Sequence, residues 1–107
     1  MSTASGDSER PWRTNGDGSP HSLELVLIDR TYVLPWTQFL YAEGSDDEVR
    51  LVFATHDVVV RGAGLQALLA DLAAQRLVGL NEPHRAERFT ARSRMCIREL
   101  FVTKAGS

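Results

Sequence analysis

The sequence predicts a single α+β domain: an antiparallel β-meander of about four strands, then one amphipathic helix packed on the sheet and one or two closing strands. Between residues 49 and 61, apolar residues alternate in the manner of half-buried strands. After Gly62 and Gly64, the period becomes that of a helix, because leucines recur at spacings of three and four. This change of period at a glycine pair is the main evidence for the fold class.

The meander is predicted from apolar segments that are separated by turn residues. Residues 32–34 lead into Pro35, which cannot donate a hydrogen bond to a strand ladder and therefore marks a strand start or edge. Residues 43–48 surround Gly44 with polar side chains and predict a hairpin connection. We expect the strands at residues 23–28, 36–42, 49–54 and 58–61.

The helix is predicted over residues 65–75, with Leu65, Leu68, Leu69 and Leu72 facing the sheet. Asp71 falls on the opposite face or at its margin. A short strand is expected at residues 77–80. A last strand follows from Met95, with a bulge near Glu99, because the apolar alternation slips by one residue there.

The sequence predicts that residues 1–22 form a disordered N-terminal tail and that residues 23–104 form the single α+β domain. The tail is rich in Ser, Gly, Asp and Asn and contains Trp12 as its large apolar residue. It cannot bury enough apolar surface to offset the entropy lost on ordering. We interpret Trp12 as incidental, with a short docking element for a partner as the alternative.

The composition is that of an ordinary globular domain with a thin core. Of the 107 residues, 43% are hydrophobic and 24% are charged. The single cysteine excludes an internal disulfide, and no signal peptide or apolar run of spanning length is recognisable, so we expect a cytoplasmic protein without membrane contact. The preference for arginine over lysine, with abundant Ala, Leu and Val, is typical of GC-rich and hence bacterial genomes. A thin core makes association with a second copy favourable.

The charge is distributed unevenly along the chain. Residues 1–75 have a net charge of −6, whereas residues 76–107 have a net charge of +4. The strongest candidate binding residues are therefore basic and lie in the last third: Arg92, Arg94, Arg98 and Lys104. Such residues on a sheet face can contact phosphates of nucleic acid, although few aromatic residues accompany them. Salt bridges or a protein partner are the alternative interpretation.

Other candidate sites have weaker support in the sequence. Gly62 and Gly64 open a helix, but the chain lacks the further glycine or lysine of known phosphate loops. His56 and Asp57 occupy a predicted hairpin tip without the spacing of a metal site. Cys96 lies inside a predicted strand without a nearby histidine, which favours a structural role. We therefore predict no cofactor, no metal and no catalytic residue.

The sequence favours a non-enzymatic domain that acts through protein interaction, with itself as the expected partner. Strands that are apolar on both faces and oppositely charged halves of the chain support this hypothesis. Two alternatives stay open. One is a nucleic-acid-binding module that uses the basic last third. The other is a small-ligand or enzymatic site near the His56–Asp57 turn and residues 62–64.

Overall fold

The computed structural model describes residues 10–15, 20–84 and 95–105, and within them it has a mixed α+β fold of two four-stranded sheets and one α-helix. The first sheet has the strand order β1-β7-β2-β3, and the second has the order β4-β5-β6-β8. The elements are β1 (Arg13–Thr14), β2 (Ser22–Val26), β3 (Thr31–Pro35), a 3₁₀ turn (Trp36–Gln38), β4 (Phe39–Gly44), β5 (Glu48–Phe53), β6 (His56–Ala63), α1 (Gln66–Ala73), β7 (Leu77–Asn81) and β8 (Cys96–Lys104).

The predicted single meander is replaced by two sheets, and the chain changes sheet at Pro35. Residues 31–35 form a separate strand, β3, which pairs antiparallel with β2. Because Pro35 lacks an N–H group, it cannot continue the ladder, and the 3₁₀ turn that follows redirects the chain into β4. The closing strand β7 returns to the first sheet and pairs parallel with β2. A meander would have only antiparallel neighbours.

The second sheet contains the predicted antiparallel connections. β4, β5 and β6 pair in sequence order, and β8 adds antiparallel to β6. Gly64 has a φ of 69°, a left-handed conformation that glycine adopts without strain, and it turns the chain from β6 towards α1. The helix predicted at residues 65–75 is present as α1, which is shorter and spans Gln66–Ala73.

Both edge strands of the second sheet contain a β-bulge. In β8, Ile97 and Glu99 pair with consecutive residues of β6, so Arg98 is the extra residue. The bulge predicted near Glu99 is thereby confirmed. Leu40 is the corresponding extra residue of β4, where the register with β5 shifts.

One hydrophobic core connects the inner faces of both sheets with α1. The helix contacts β4 of the second sheet and β7 of the first, so it bridges the two sheets. Leu65 and Leu68 are fully buried, whereas Leu69 and Leu72 are only partly buried against the core. Asp71 is also fully buried, contrary to its predicted position on the outer face.

Residues 10–15 pack on the domain, which differs from the predicted tail. Trp12 belongs to the core with 4% of its surface exposed, and the adjacent residues form β1. The expectation of a tail through residue 22 therefore does not hold for residues 10–15. Residues 1–9 and 16–19 lie outside the described residues.

Replacement of Leu68 with alanine should lower the free energy of unfolding by about 2–5 kcal/mol, because the side chain is fully buried where α1 meets the core. Equilibrium unfolding in urea measures this change. The matched control is Gln66→Ala, at an exposed position of the same helix, which should change the free energy of unfolding by less than about 0.5 kcal/mol. Equal effects of the two substitutions would contradict the orientation of α1.

Candidate functional site

The most completely built site among the described residues is a groove that holds the N-terminal segment, residues 10–15. Gly79 and Leu77 of β7 face Arg13 and Thr14 in antiparallel register. The Asn15 N–H group donates to the carbonyl oxygen of Arg76 at 2.8 Å and extends this pairing. The segment therefore lies along β7 as an added edge strand, which is a common way for a protein to bind a peptide.

Asp71 of α1 forms the floor of this groove and contacts two side chains of the segment. Its carboxylate has no exposed surface. The Arg10 Nη1 group donates to both carboxylate oxygens at 2.7 Å, and the Trp12 Nε1–H group donates to Oδ2 at 2.7 Å. A buried charge is tolerated only when it is paired and hydrogen-bonded, and these contacts meet that requirement.

The end of α1 supplies a third partner for the same carboxylate. The Gln75 and Arg76 N–H groups donate to the carbonyl oxygens of Leu72 and Asp71, and Gln75 has a φ of 59°. These are the bonds of a Schellman turn, which folds the chain back over the last helical turn. The Arg76 Nη2 group thereby lies 3.1 Å from Asp71 Oδ1. Two guanidinium groups and one indole surround a single carboxylate.

The side chain of Arg13 lies across β7 on the other face of the first sheet. Its guanidinium group donates to Glu24 Oε1 at 2.6 Å and to Asn81 Oδ1 at 3.2 Å. Gly79 makes this path available, because a Cβ atom at that position would overlap the guanidinium group. A larger residue at position 79 would displace this guanidinium group, which is the flexible end of the Arg13 side chain.

The contacts of Asp71 are suited to recognition of the N-terminal segment, because both carboxylate oxygens accept hydrogen bonds from its side chains.

Sequence reasoning missed this site because it interpreted Trp12 as incidental and Asp71 as peripheral. A usable signal was present, since Asp71 lies three residues after Leu68 and shares its side of a helix.

A second candidate surface is the outer face of the second sheet. On each strand the residues that alternate with the buried ones point away from the core. Tyr41 and Phe101, on the two edge strands, have 49% and 44% of their surface exposed. Val52 and Val59, on the central strands, are half buried. Tyr41 pairs with Val52 and Phe101 pairs with Val59, so each edge of this face presents an aromatic–valine pair.

Charged side chains on this outer face pair with one another. Asp57 accepts a hydrogen bond of 2.9 Å from Arg50, and this contact raises the Arg50 pKa above its ordinary value. Arg61 lies 3.2 Å from Glu48 and 3.6 Å from Glu99. The Arg61 guanidinium group also lies 5.7 Å from the centre of the Phe101 ring. The face therefore combines apolar groups with charges of both signs.

The predicted basic binding residues do not come together among the described residues. Arg92 and Arg94 lie outside them. Arg98 and Lys104 are exposed near opposite ends of β8, and six residues of extended chain separate them by about 20 Å. The structure thus supplies no compact basic patch from this pair.

The alternative site around residues 56–57 and 62–64 is also divided. His56 and Gly62 lie near opposite ends of β6, about 20 Å apart in extended chain. The His56 ring packs edge-on against Tyr32 at 5.5 Å, and Asp57 is paired with Arg50. These groups do not converge on one concave site.

The cavities in the described part of the chain include the following two. A cavity of about 260 Å³ is lined mainly by Trp36, Phe39, Leu72 and Leu77. The buried Trp36 Nε1–H group has no acceptor among the described residues, and nothing in the structure explains this. A cavity of about 390 Å³ is lined in part by His84 and Cys96, and Cys96 is 5% exposed.

No three His, Cys, Asp and Glu side chains of the described residues are grouped as metal ligands. No helix in residues 10–15, 20–84 and 95–105 has the length and apolar character to cross a membrane. Comparison with protein-family models, curated proteins and solved structures returned no match. The functional argument therefore depends on the geometry of these surfaces.

Replacement of Asp71 with alanine should lower the free energy of unfolding by about 1–3 kcal/mol, because the buried Trp12 Nε1–H group loses its acceptor and the part-buried Arg10 guanidinium group loses its partner. Urea unfolding followed by tryptophan fluorescence measures this loss. The matched control is Asp29→Ala, an exposed carboxylate 3.9 Å from Arg30, whose removal should cost less than about 0.5 kcal/mol. A small effect at Asp71 would refute the importance of the cluster.

Proposed function

We propose that this protein is a non-enzymatic interaction domain of the bacterial cytoplasm that associates with a second copy of itself. The observation that supports this best is the outer face of the second sheet, which presents two exposed aromatic side chains and two valines without a covering element among the described residues. Exposed aromatic groups are typical of interface centres, where they bury large apolar area.

A second copy suits this surface better than a partner of one charge sign. The face contains Arg50 and Arg61 among the carboxylates of Glu43, Glu48, Asp57 and Glu99. A uniformly acidic or basic partner would place like charges together, whereas a surface of mixed sign can pair with its own rotated copy. The opposite net charges of the two parts of the chain agree with this choice.

The alternatives have less support from the geometry. For a nucleic-acid-binding module, Phe101 would be a stacking residue, but Glu99 is its close neighbour on β8 and would repel phosphates. The remaining proposed basic residues are separated or lie outside the described residues. For a ligand or enzymatic site, the imidazole and the glycine pair are at opposite ends of β6.

The proposal predicts that the wild-type protein is a dimer at low micromolar concentration and that Tyr41→Ser with Phe101→Ser weakens this dimer. We expect the dissociation constant to rise at least tenfold, because both exposed rings would be removed from the interface. Light scattering coupled to size-exclusion chromatography measures the mass across a dilution series.

The matched control is Val33→Ser, which removes an apolar side chain with 61% exposure from the first sheet. This variant should dimerise as the wild type does. A wild-type protein that stays monomeric at about 100 µM would refute the proposed association. Retention on heparin that weakens steeply with salt would instead favour the nucleic-acid alternative.

A further inference from the structure

We infer that the groove formed by β7 and the end of α1 accepts residues 10–15 of a second copy, so that two chains can exchange their N-terminal segments. The inference rests on the proposed self-association for the identity of the partner, and it names a contact other than the outer face of the second sheet. The partner would contribute Arg10, Trp12 and Arg13 to the site.

The groove has the parts of a peptide-binding site. β7 supplies backbone pairing through Gly79 and Leu77. The fully buried carboxylate of Asp71 receives the indole and guanidinium groups of the bound segment. Backbone pairing gives affinity, whereas the side-chain contacts select an extended segment with arginine two residues before tryptophan.

These contacts require the sequence of the segment but not its attachment to the same chain. Arg10 and Trp12 are 61 and 59 residues away from Asp71 in the sequence, so the groove is built by a distant part of the chain. Every copy of the protein carries the same segment. A second copy therefore offers the groove a ligand with all the necessary groups.

Asp71 also determines the form that the exchange would take. An empty groove would leave a buried carboxylate without Arg10 and Trp12, which is unfavourable. A reciprocal dimer fills both grooves, whereas an open chain of copies leaves one groove empty at its end. We therefore expect a closed dimer with two-fold symmetry.

A disulfide between positions 13 and 79 tests the exchange, because Arg13 and Gly79 face each other in the register of β1 and β7. One chain carries Arg13→Cys and a second carries Gly79→Cys. In the Gly79→Cys chain the new side chain displaces the flexible end of the chain's own Arg13, whereas the segment of the Arg13→Cys chain leaves that space open. Both chains also carry Cys96→Ala, Tyr41→Ser and Phe101→Ser, which remove the native thiol and the outer-face contact.

The mixture should form the intermolecular disulfide at least tenfold faster than a mixture of the Arg13→Cys and Val33→Cys chains, whose thiols lie on opposite edge strands of the first sheet. A chain with both Arg13→Cys and Gly79→Cys should also form the bond, internally in a monomer and between chains in an exchanged dimer. Equal rates in the two mixtures, or failure of the folded double variant to form either bond, would overturn the inference. These results are independent of the mass measurements that test the outer face.

If the Gly79→Cys chain is unfolded when alone, circular dichroism of the mixture decides the question. A gain of folded structure on addition of the Arg13→Cys chain would support exchange, because the added segment can fill the altered groove. An unchanged spectrum would count against it.

Discussion

The burial of the Asp71 carboxylate is the constraint on which the first sheet depends. A carboxylate without solvent contact needs nearby donors, and Asp71 obtains them from Arg10, Trp12 and Arg76. These donors come from the N-terminal segment and from the turn after α1. One side chain thus fixes the position of β1, the end of the helix and the start of β7 relative to each other.

The helix gives this constraint an effect beyond the first sheet. Because α1 contacts both β4 and β7, the residues that hold its position also hold the two sheets around one core. A change at Asp71 should therefore affect the whole domain cooperatively. The outer face of the second sheet points away from that core. Its side chains can therefore be replaced by mutation without disturbing the contacts around Asp71.

Local sequence patterns predicted those parts of the fold that depend on neighbouring residues. The leucine spacing located α1, and the slipped alternation near Glu99 located the bulge of β8. The division into two sheets was less accessible, because Pro35 is compatible with either an edge strand or a change of sheet. The parallel pairing of β7 with β2 joins residues that are more than fifty positions apart and leaves no local signal.

The candidate site was harder to predict because each of its parts looks ordinary alone. The predicted buried face of α1 was centred on its leucines, whereas the observed buried face is rotated by about 50° around the helix axis towards Asp71. Asp71 was therefore predicted to lie at the margin of the buried face. The burial of Asp71 depends on donors from Arg10 and Trp12, and the composition of that N-terminal segment is typical of disordered chains. The sequence indicated that the basic residues form a charged surface. Arg98 and Lys104 are in fact far apart, because they lie near opposite ends of the nine-residue strand β8.

The bulges at Leu40 and Arg98 have a consequence for the fate of this protein at high concentration. Regular edge strands allow sheets to grow indefinitely by adding further chains, which is the first step towards fibrils. Here each outer strand of the second sheet is interrupted by an extra residue, and at Arg98 that residue is charged. The second sheet is thereby protected from growth at its edges, while its outer face stays available for finite complexes.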